Sequence, residues 1–139
     1  MRLPLNKWTK MFLVAACFLL SIVGFMIKLP AGFRHFDKEL HSIFYFFAAA
    51  FLNLLFANKK IARHILIFIA LYLFGVSIEY AQEYSNKLFH ARIHGRYDPE
   101  DVQSNLKGLV AFSICWIISV AFLFVYNKAT FKEVVNKGE

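Results

Sequence analysis

The amino-acid sequence predicts an all-α integral membrane protein with four transmembrane helices and a polar loop between the third and fourth. Of its 139 residues, 59% are hydrophobic and 18% are aromatic, more than a soluble domain of this length can bury. The hydrophobic residues fall in four long charge-free stretches rather than in the short alternating strands of a barrel. The length allows one domain, so residues 1–139 are expected to form a single membrane unit.

The first two predicted helices cover about residues 11–27 and 37–58. Their charge-free stretches, 11–27 and 42–58, contain 17 residues each. A membrane span needs about 20 residues, because each residue rises about 1.5 Å through a core of roughly 30 Å. Flanking residues whose polar ends reach the membrane surface supply the remainder. No small-x-small cleavage motif follows the first stretch, so we expect it to stay as a helix rather than leave as a signal peptide.

The third and fourth predicted helices cover about residues 64–84 and 98–127. The charge-free stretch 65–78 has only 14 residues, so the third helix must continue past Glu79 to cross a membrane. An ionisable side chain at that depth is costly unless it faces a partner or a watery cavity. The alternative is that Glu79 lies in the headgroup region. The fourth stretch, 108–127, has 20 residues and is long enough by itself.

The basic residues indicate the orientation in the membrane. With a cytoplasmic N-terminus, nine of the 16 Lys and Arg residues lie inside and seven lie outside, which favours cytoplasmic N- and C-termini. The net charge of +7 is spread over short segments between the apolar stretches. This pattern favours anionic lipid headgroups as the partner, and we expect no nucleic-acid partner.

In this orientation, polar residues gather at three helix ends on the non-cytoplasmic side. Asp37 and His41 share one face at the start of the second helix, since they are four residues apart. Asp37 also suits the positive end of a helix, so a capping role for Asp37 and a snorkelling role for Lys38 are the structural alternatives. Near the end of the third helix, Glu79 and Gln82 share a face with Glu83. A helix end emerging into water would explain Glu83 better than Glu79.

The third polar group opens the fourth helix. Asp98 followed by Pro99 is typical of a helix start, with Asp98 as the cap and Pro99 at the first helical position. Asp101 and Asn105 then lie four residues apart on one face. Gly108 enters the membrane beside them and permits a close contact between helices.

Together these side chains could bind a zwitterionic or phosphorylated headgroup. Arginine suits a phosphate or a carboxylate, while the acids suit an amine or a divalent cation. The candidate ligand-binding residues are Asp37, Lys38, His41, Glu79, Gln82, Arg96, Asp98, Asp101 and Asn105. An internal salt-bridge network that holds the four helices together would explain the same residues.

An enzyme is a further interpretation of these residues. The candidate catalytic residues are His41, Glu79 and Asp101, with His41 as nucleophile or general base. We assign no cofactor and no metal site, because His90 and His94 have the spacing of two ligands on a helix but no third ligand is fixed.

At these positions the sequence resembles the VanZ-like family of small bacterial membrane proteins. The family pattern is Lys-x-x-His at one helix start, Glu-x-x-Gln at the end of another helix, an Arg, and then Asp-x-x-x-Asn-x-x-Gly. In this chain the pattern is matched by residues 38–41, 79–82, 96 and 101–108. The family often has Pro-Gly-Arg after the Gln, whereas here a longer segment carries His94, Gly95 and Arg96, so Arg92 rivals Arg96 as the family arginine. A family glycine one turn beyond the last motif is replaced by Phe112.

The resemblance implies a multi-pass protein of the bacterial plasma membrane that acts at the cell envelope, since the family's namesake is linked to teicoplanin resistance. The leading hypothesis is that the outward polar patch binds lipid or lipid-linked headgroups and lowers susceptibility to lipoglycopeptides such as teicoplanin. Membrane lipids or lipid-linked cell-wall precursors would be the partners, and a homo-oligomer stays open. Two alternatives remain: a membrane-embedded enzyme acting on a phosphorylated lipid headgroup, and an accessory or assembly subunit with a structural polar network.

Overall fold

The computed structural model describes residues 5–26, 36–57, 59–90 and 96–137. These residues form helices and the short segments that flank them, which confirms the all-helical fold class. The segment between the third and fourth helices is described only at its two ends. Two of its basic residues that the sequence raised as candidates, Arg92 and His94, lie outside the described residues.

The four helices follow one another along the chain. Helix α1 comprises Lys7–Met26, and α2 comprises Asp37–Leu52 and continues as a π-helical turn, Asn53–Ala57. Helix α3 comprises Ile61–Leu88, and α4 comprises Pro99–Lys137. All four are long and apolar enough to cross a membrane.

Helices α3 and α4 extend beyond the predicted ends, to Leu88 and Lys137. Helix α3 runs past residue 84 because charged side chains support its last turns: Glu83 and Lys87 form an ion pair at 3.0 Å, four residues apart. Lys87 also lies in the last turn, where a positive charge interacts favourably with the helix dipole. The ends of charge-free stretches therefore mark where the apolar part of a helix stops rather than where the helix stops.

The helices alternate in direction. The Gln82 side-chain amide, near the end of α3, donates to the carbonyl oxygen of Phe25, near the end of α1, at 2.8 Å. At the opposite end, the Lys10 ammonium of α1 donates to the carbonyl oxygen of Leu55 after α2, at 3.1 Å. The ends of α1 and α3 therefore lie beside the starts of α2 and α4. We call this end of the bundle, which carries Asp37, His41, Glu79 and Asp101, the polar end.

Among the described residues, helices α2 and α4 make the most extensive contact between two helices. A methyl group added at Gly108 would overlap the backbone carbonyl of Ser42, so the small residue lets the two backbones meet, as the sequence predicts. The Ser42 hydroxyl donates to the carbonyl oxygen of Ser104 at 2.8 Å across the same contact. The buried core beside it consists of Tyr45, Ala49, Ala57, Ile67, Leu71 and Leu109.

Much of the apolar surface of every helix is not covered by protein. Phe12, Phe47, Leu66 and Phe122, one from each helix, are between 64% and 73% exposed. No residue of α1 is buried. A monomeric soluble protein rarely exposes contiguous apolar area on this scale, so the fold fits a multi-pass membrane protein.

Candidate functional site

The start of α2 supplies Asp37 and His41 to the polar end. Asp37 is the first residue of the helix, and the residue before it, Phe36, occupies the cap position without a side-chain capping bond. The capping role considered for Asp37 is therefore wrong, because its carboxylate lies within the first turn. His41 is buried one turn further on.

The end of α3 supplies Glu79, which is only 1% exposed. Its Oε2 atom accepts a hydrogen bond from the backbone N–H of Asp98 at 3.1 Å. One turn later, Glu83 Oε2 accepts from the backbone N–H of Tyr97 at 3.2 Å. The two carboxylates of α3 thus hold the residues that lead into α4. Glu83 is far more accessible than Glu79, as a helix end emerging from the bundle requires.

The start of α4 is the one that the sequence predicts. Asp98 caps the helix, because its Oδ1 atom accepts from the backbone N–H of Glu100 at 2.8 Å, and Pro99 is the first helical residue. Asp101 and Asn105 follow on the buried face. The helix start therefore directs two polar side chains toward α2.

His41 and Asn105 form the central contact of the polar end. The Nδ1 atom of His41 lies 2.8 Å from the side-chain oxygen of Asn105. An amide oxygen only accepts, so Nδ1 carries the proton and Nε2 of the neutral ring presents a lone pair. That Nε2 atom faces two acids, at 3.9 Å from Asp37 Oδ1 and 4.0 Å from Asp101 Oδ2. Both distances are longer than a hydrogen bond.

Lys38 lies at the rim of this group. Its ammonium contacts the carboxylate of Glu100 and lies 3.6 Å from Asp98 Oδ2, with all three side chains partly exposed. These ion pairs join the starts of α2 and α4 at the surface. Lys38 also interacts electrostatically with the buried Asp101 behind it.

Two buried carboxylate oxygens have no hydrogen-bond partner among the described residues. They are Glu79 Oε1 and Asp101 Oδ1. Glu79 also interacts electrostatically with both Asp101 and His41, so the two acids belong to one buried group. An unpaired acceptor in such a place is uncommon in native structures and calls for an explanation.

Arg96 does not lie in this group. It is exposed, and it interacts electrostatically with Glu83. The structure thus brings together Asp37, His41, Glu79, Asp98, Asp101 and Asn105, with Lys38 at the rim. It places Gln82 beside them, bonded to the backbone of α1, and Arg96 to one side.

A second buried polar group, which the sequence does not predict, lies at the far end of α2. His64 Nδ1 donates to the side-chain oxygen of Asn53 at 2.8 Å, and His64 Nε2 lies 3.1 Å from the hydroxyl of Ser113. The His64 ring also stacks on Trp116, with centroids 4.2 Å apart. Asn53 is the sequence signal that could have indicated this group. It is an amide inside an apolar stretch, and a buried amide needs a hydrogen-bond partner. An apolar groove of about 250 Å³ adjoins His64, away from the polar end.

Comparison with known proteins adds no relative for this chain. No protein-family model, no curated protein and no solved structure matches it. The function must therefore be inferred from the geometry of the polar end.

Proposed function

We propose that the chain is a multi-pass protein of the bacterial plasma membrane with both termini in the cytoplasm. The four apolar helices and their exposed aliphatic and aromatic side chains support membrane insertion. An even number of spans would bring both termini to one side. The polar end would then lie at the headgroup level on the non-cytoplasmic side.

We infer further that the polar end binds the phosphorylated headgroup of a lipid or of a lipid-linked cell-wall precursor. The observation that carries this inference is the pair of unpartnered buried oxygens, Glu79 Oε1 and Asp101 Oδ1. A buried acceptor without a donor costs about 1–3 kcal/mol. A positively charged group brought by a ligand would remove that cost for both oxygens.

The charges of the polar end specify how such a headgroup would lie. The described residues there include five carboxylates. Besides His41, the cationic side chain that contacts any of these carboxylates is Lys38. The carboxylates belong to Asp37, Glu79, Asp98, Glu100 and Asp101. A phosphate alone would be repelled, so the acids must meet a positive group, either an amine of the headgroup or a cation that accompanies the phosphate. The phosphate itself would face Lys38 at the rim.

The resemblance to the VanZ-like family supports the same proposal. The pattern residues Lys38, His41, Glu79, Asp101 and Asn105 are far apart in sequence and converge at the polar end. Side chains that converge in this way are expected to act together in one binding site. The family arginine adds no support, because Arg96 interacts with Glu83 and its rival Arg92 lies outside the described residues.

Native mass spectrometry of the protein released from bacterial membranes tests the headgroup site. The variant is Glu79→Gln, which removes one charge and keeps the side-chain size. The matched control is Glu83→Gln, one turn further along the same helix on a more accessible carboxylate. We expect the wild type and the control to retain a phosphorylated lipid that Glu79→Gln loses.

Two results would contradict the proposal. One is equal lipid retention by both variants, which would mean that lipid adheres to the apolar surface alone. The other is a wild-type protein without bound phosphorylated lipid and a Glu79→Gln variant that does not fold. That second result would favour an accessory subunit in which the polar residues hold the helices together.

An enzyme acting on a phosphorylated lipid headgroup is the second candidate. His41 favours it, because Asn105 holds Nδ1 while Nε2 stays without a hydrogen bond among the described residues. A neutral imidazole held in this way could serve as general base or nucleophile. Phosphate release from phosphorylated lipids separates the candidates: His41→Ala would abolish turnover and keep lipid binding in an enzyme, whereas a binding protein would show no turnover at all.

A further inference from the structure

We propose that Asp37, His41 and Asp101 form a binding site for one divalent transition-metal ion. The proposal deepens the headgroup site, since the metal would be the positive group that the acids meet. Its biological meaning therefore rests on the proposed function. The binding of the ion rests on the three side chains alone and can be measured without lipid.

The three side chains offer ligand atoms at the right separations. One nitrogen and two carboxylate oxygens all lie within 4.8 Å of one another. A zinc ion about 2.0–2.2 Å from each ligand atom holds those atoms roughly 3.5 Å apart. The cluster must therefore close by about 0.4–1.3 Å around an ion. Asp37 can supply this movement, because its half-exposed side chain lies in the first turn of α2.

The protonation of His41 is the one that a metal ligand requires. Asn105 accepts the Nδ1 proton at 2.8 Å and leaves the Nε2 lone pair facing Asp37 and Asp101. Metal-bound histidines almost always donate their other ring N–H to an oxygen in this way. In the rival arrangement His41 is protonated at both nitrogens. Its Nε2–H would then point toward oxygens 3.9–4.0 Å away, too far for a hydrogen bond.

The unpartnered oxygens are a second observation, and one of them, on Glu79, lies outside the three ligands. Asp101, which is 8% exposed, binds no described donor through Oδ1, and Glu79, which is 1% exposed, binds none through Oε1. Glu79 interacts electrostatically with Asp101 and His41 and so lies next to the three ligands. A cation bound beside these buried carboxylates would stabilise their charged forms, and Lys38 forms its ion pairs at the rim.

The ligand set selects the class of ion. One imidazole and two carboxylates suit zinc, manganese or ferrous iron, whereas calcium and magnesium prefer oxygen ligands alone. Three protein ligands leave coordination positions open. The Asp37 side chain is 39% exposed, so the open side faces out of the bundle. A phosphate oxygen of a headgroup could occupy it, which would explain how an acid-rich site accepts a phosphorylated ligand.

Metal content after equilibrium dialysis tests the proposal. The full chain, delipidated in a nonionic detergent and stripped with a chelator, is dialysed against Zn²⁺ or Mn²⁺ and analysed for bound metal. We expect one ion per chain in the wild type. Affinity should fall about tenfold or more in Asp101→Asn and Asp37→Asn, because loss of an outer-shell partner alone costs about 10–100-fold.

Two control variants separate the site from other metal-binding groups. His64→Gln removes the other buried histidine, and Glu83→Gln removes a carboxylate of the same end of the molecule. Both should bind the ion as the wild type does. Asp37→Asn keeps the proposal testable if Asp101→Asn fails to fold, because Asp37 is the most exposed of the three ligands.

The proposal is overturned if the wild type binds neither ion, or if Asp37→Asn binds as tightly as the wild type. These outcomes are distinguishable from failure of the headgroup site. Lipid that remains bound in the presence of a chelator and depends on Glu79 would preserve the headgroup proposal without a metal. One bound ion that depends on Asp37, in a protein that retains no phosphorylated lipid, would preserve the metal site alone.

Discussion

The Nδ1 atom of His41 donates a hydrogen bond of 2.8 Å to the side-chain oxygen of Asn105 and thereby joins the starts of α2 and α4. The two residues are 64 positions apart in the chain, and both are buried. Asn105 also lies against α3, because a methyl group added at Gly75 would come within 2.7 Å of its side-chain nitrogen. One amide therefore fixes the imidazole and occupies the space among three helices.

Truncation of Asn105 should destabilise the protein. Asn105→Ala leaves the buried Nδ1 proton of His41 without an acceptor, which costs about 1–3 kcal/mol. Thermal unfolding of the full chain in detergent measures the loss. Gln103→Ala, at an exposed position of the same helix, is the control and should lie within about 0.5 kcal/mol of the wild type. Equal stability of both variants would mean that the His41–Asn105 bond does not form.

The contact between α2 and α4 should not tolerate a larger residue at Gly108. Gly108→Ala places a methyl group against the backbone carbonyl of Ser42. A backbone carbonyl cannot rotate away from the clash as the end of a flexible side chain can. We expect a loss of about 1–3 kcal/mol. Gly24→Ala is the matched control, because nothing lies within 4 Å of its added methyl group. That variant should be neutral or more stable by about 0.5–1 kcal/mol, since alanine favours a helix. The opposite ranking of the two variants would contradict the packing.

The His64 group should contribute to stability and not to ligand binding. His64→Leu removes the donor to Asn53 and leaves that buried oxygen unpaired, at a cost of about 1–3 kcal/mol. Unfolding midpoints and lipid retention by native mass spectrometry are measured on the same sample. His90→Asn, at an exposed histidine, is the control and should match the wild type in both, because asparagine tolerates the φ of 48° at this position. A folded His64→Leu protein that loses its lipid would move the ligand site to the other end of the bundle.

The two ends of the bundle should be accessible from opposite sides of the membrane. In a chain with Cys17 and Cys115 replaced by serine, Glu100→Cys reports on the polar end and Lys7→Cys on the other end. A membrane-impermeant maleimide added to intact bacteria should label Glu100→Cys at once and Lys7→Cys only after permeabilisation. The reverse pattern would overturn the proposed orientation, and labelling of both in intact cells would overturn the four-span topology.

The sequence determined the helices and their polar faces well. Charge-free stretches located the four helices, and spacings of three and four placed His41, Glu79 and Asn105 on faces that the structure buries. Asp98 and Pro99 marked the start of α4 because capping is local chemistry between neighbours in the chain.

The sequence could not predict how the helices are placed relative to one another. Periodicity gives the face of one helix but neither its rotation nor its depth beside another, so the pairing of His41 with Asn105 was out of reach. For the same reason the group around His64 was missed, since its members come from three separate stretches. Acids favour the cap position, which predicts Asp37 as a cap, but the observed helix begins with Asp37 and Phe36 is its cap residue.

Photocrosslinking in living bacteria tests the central claim, that the polar end holds a headgroup, most directly. A photoreactive amino acid replaces Glu100 at the rim, and the same residue replaces Phe47 on the exposed apolar surface as the control. We expect a phosphorylated lipid captured at the rim, with a several-fold loss of capture in the Glu79→Gln background. Capture at Phe47 should not change in that background. Rim capture that is unaffected by Glu79→Gln would contradict the account, because the lipid there would then be bulk membrane and not a bound ligand.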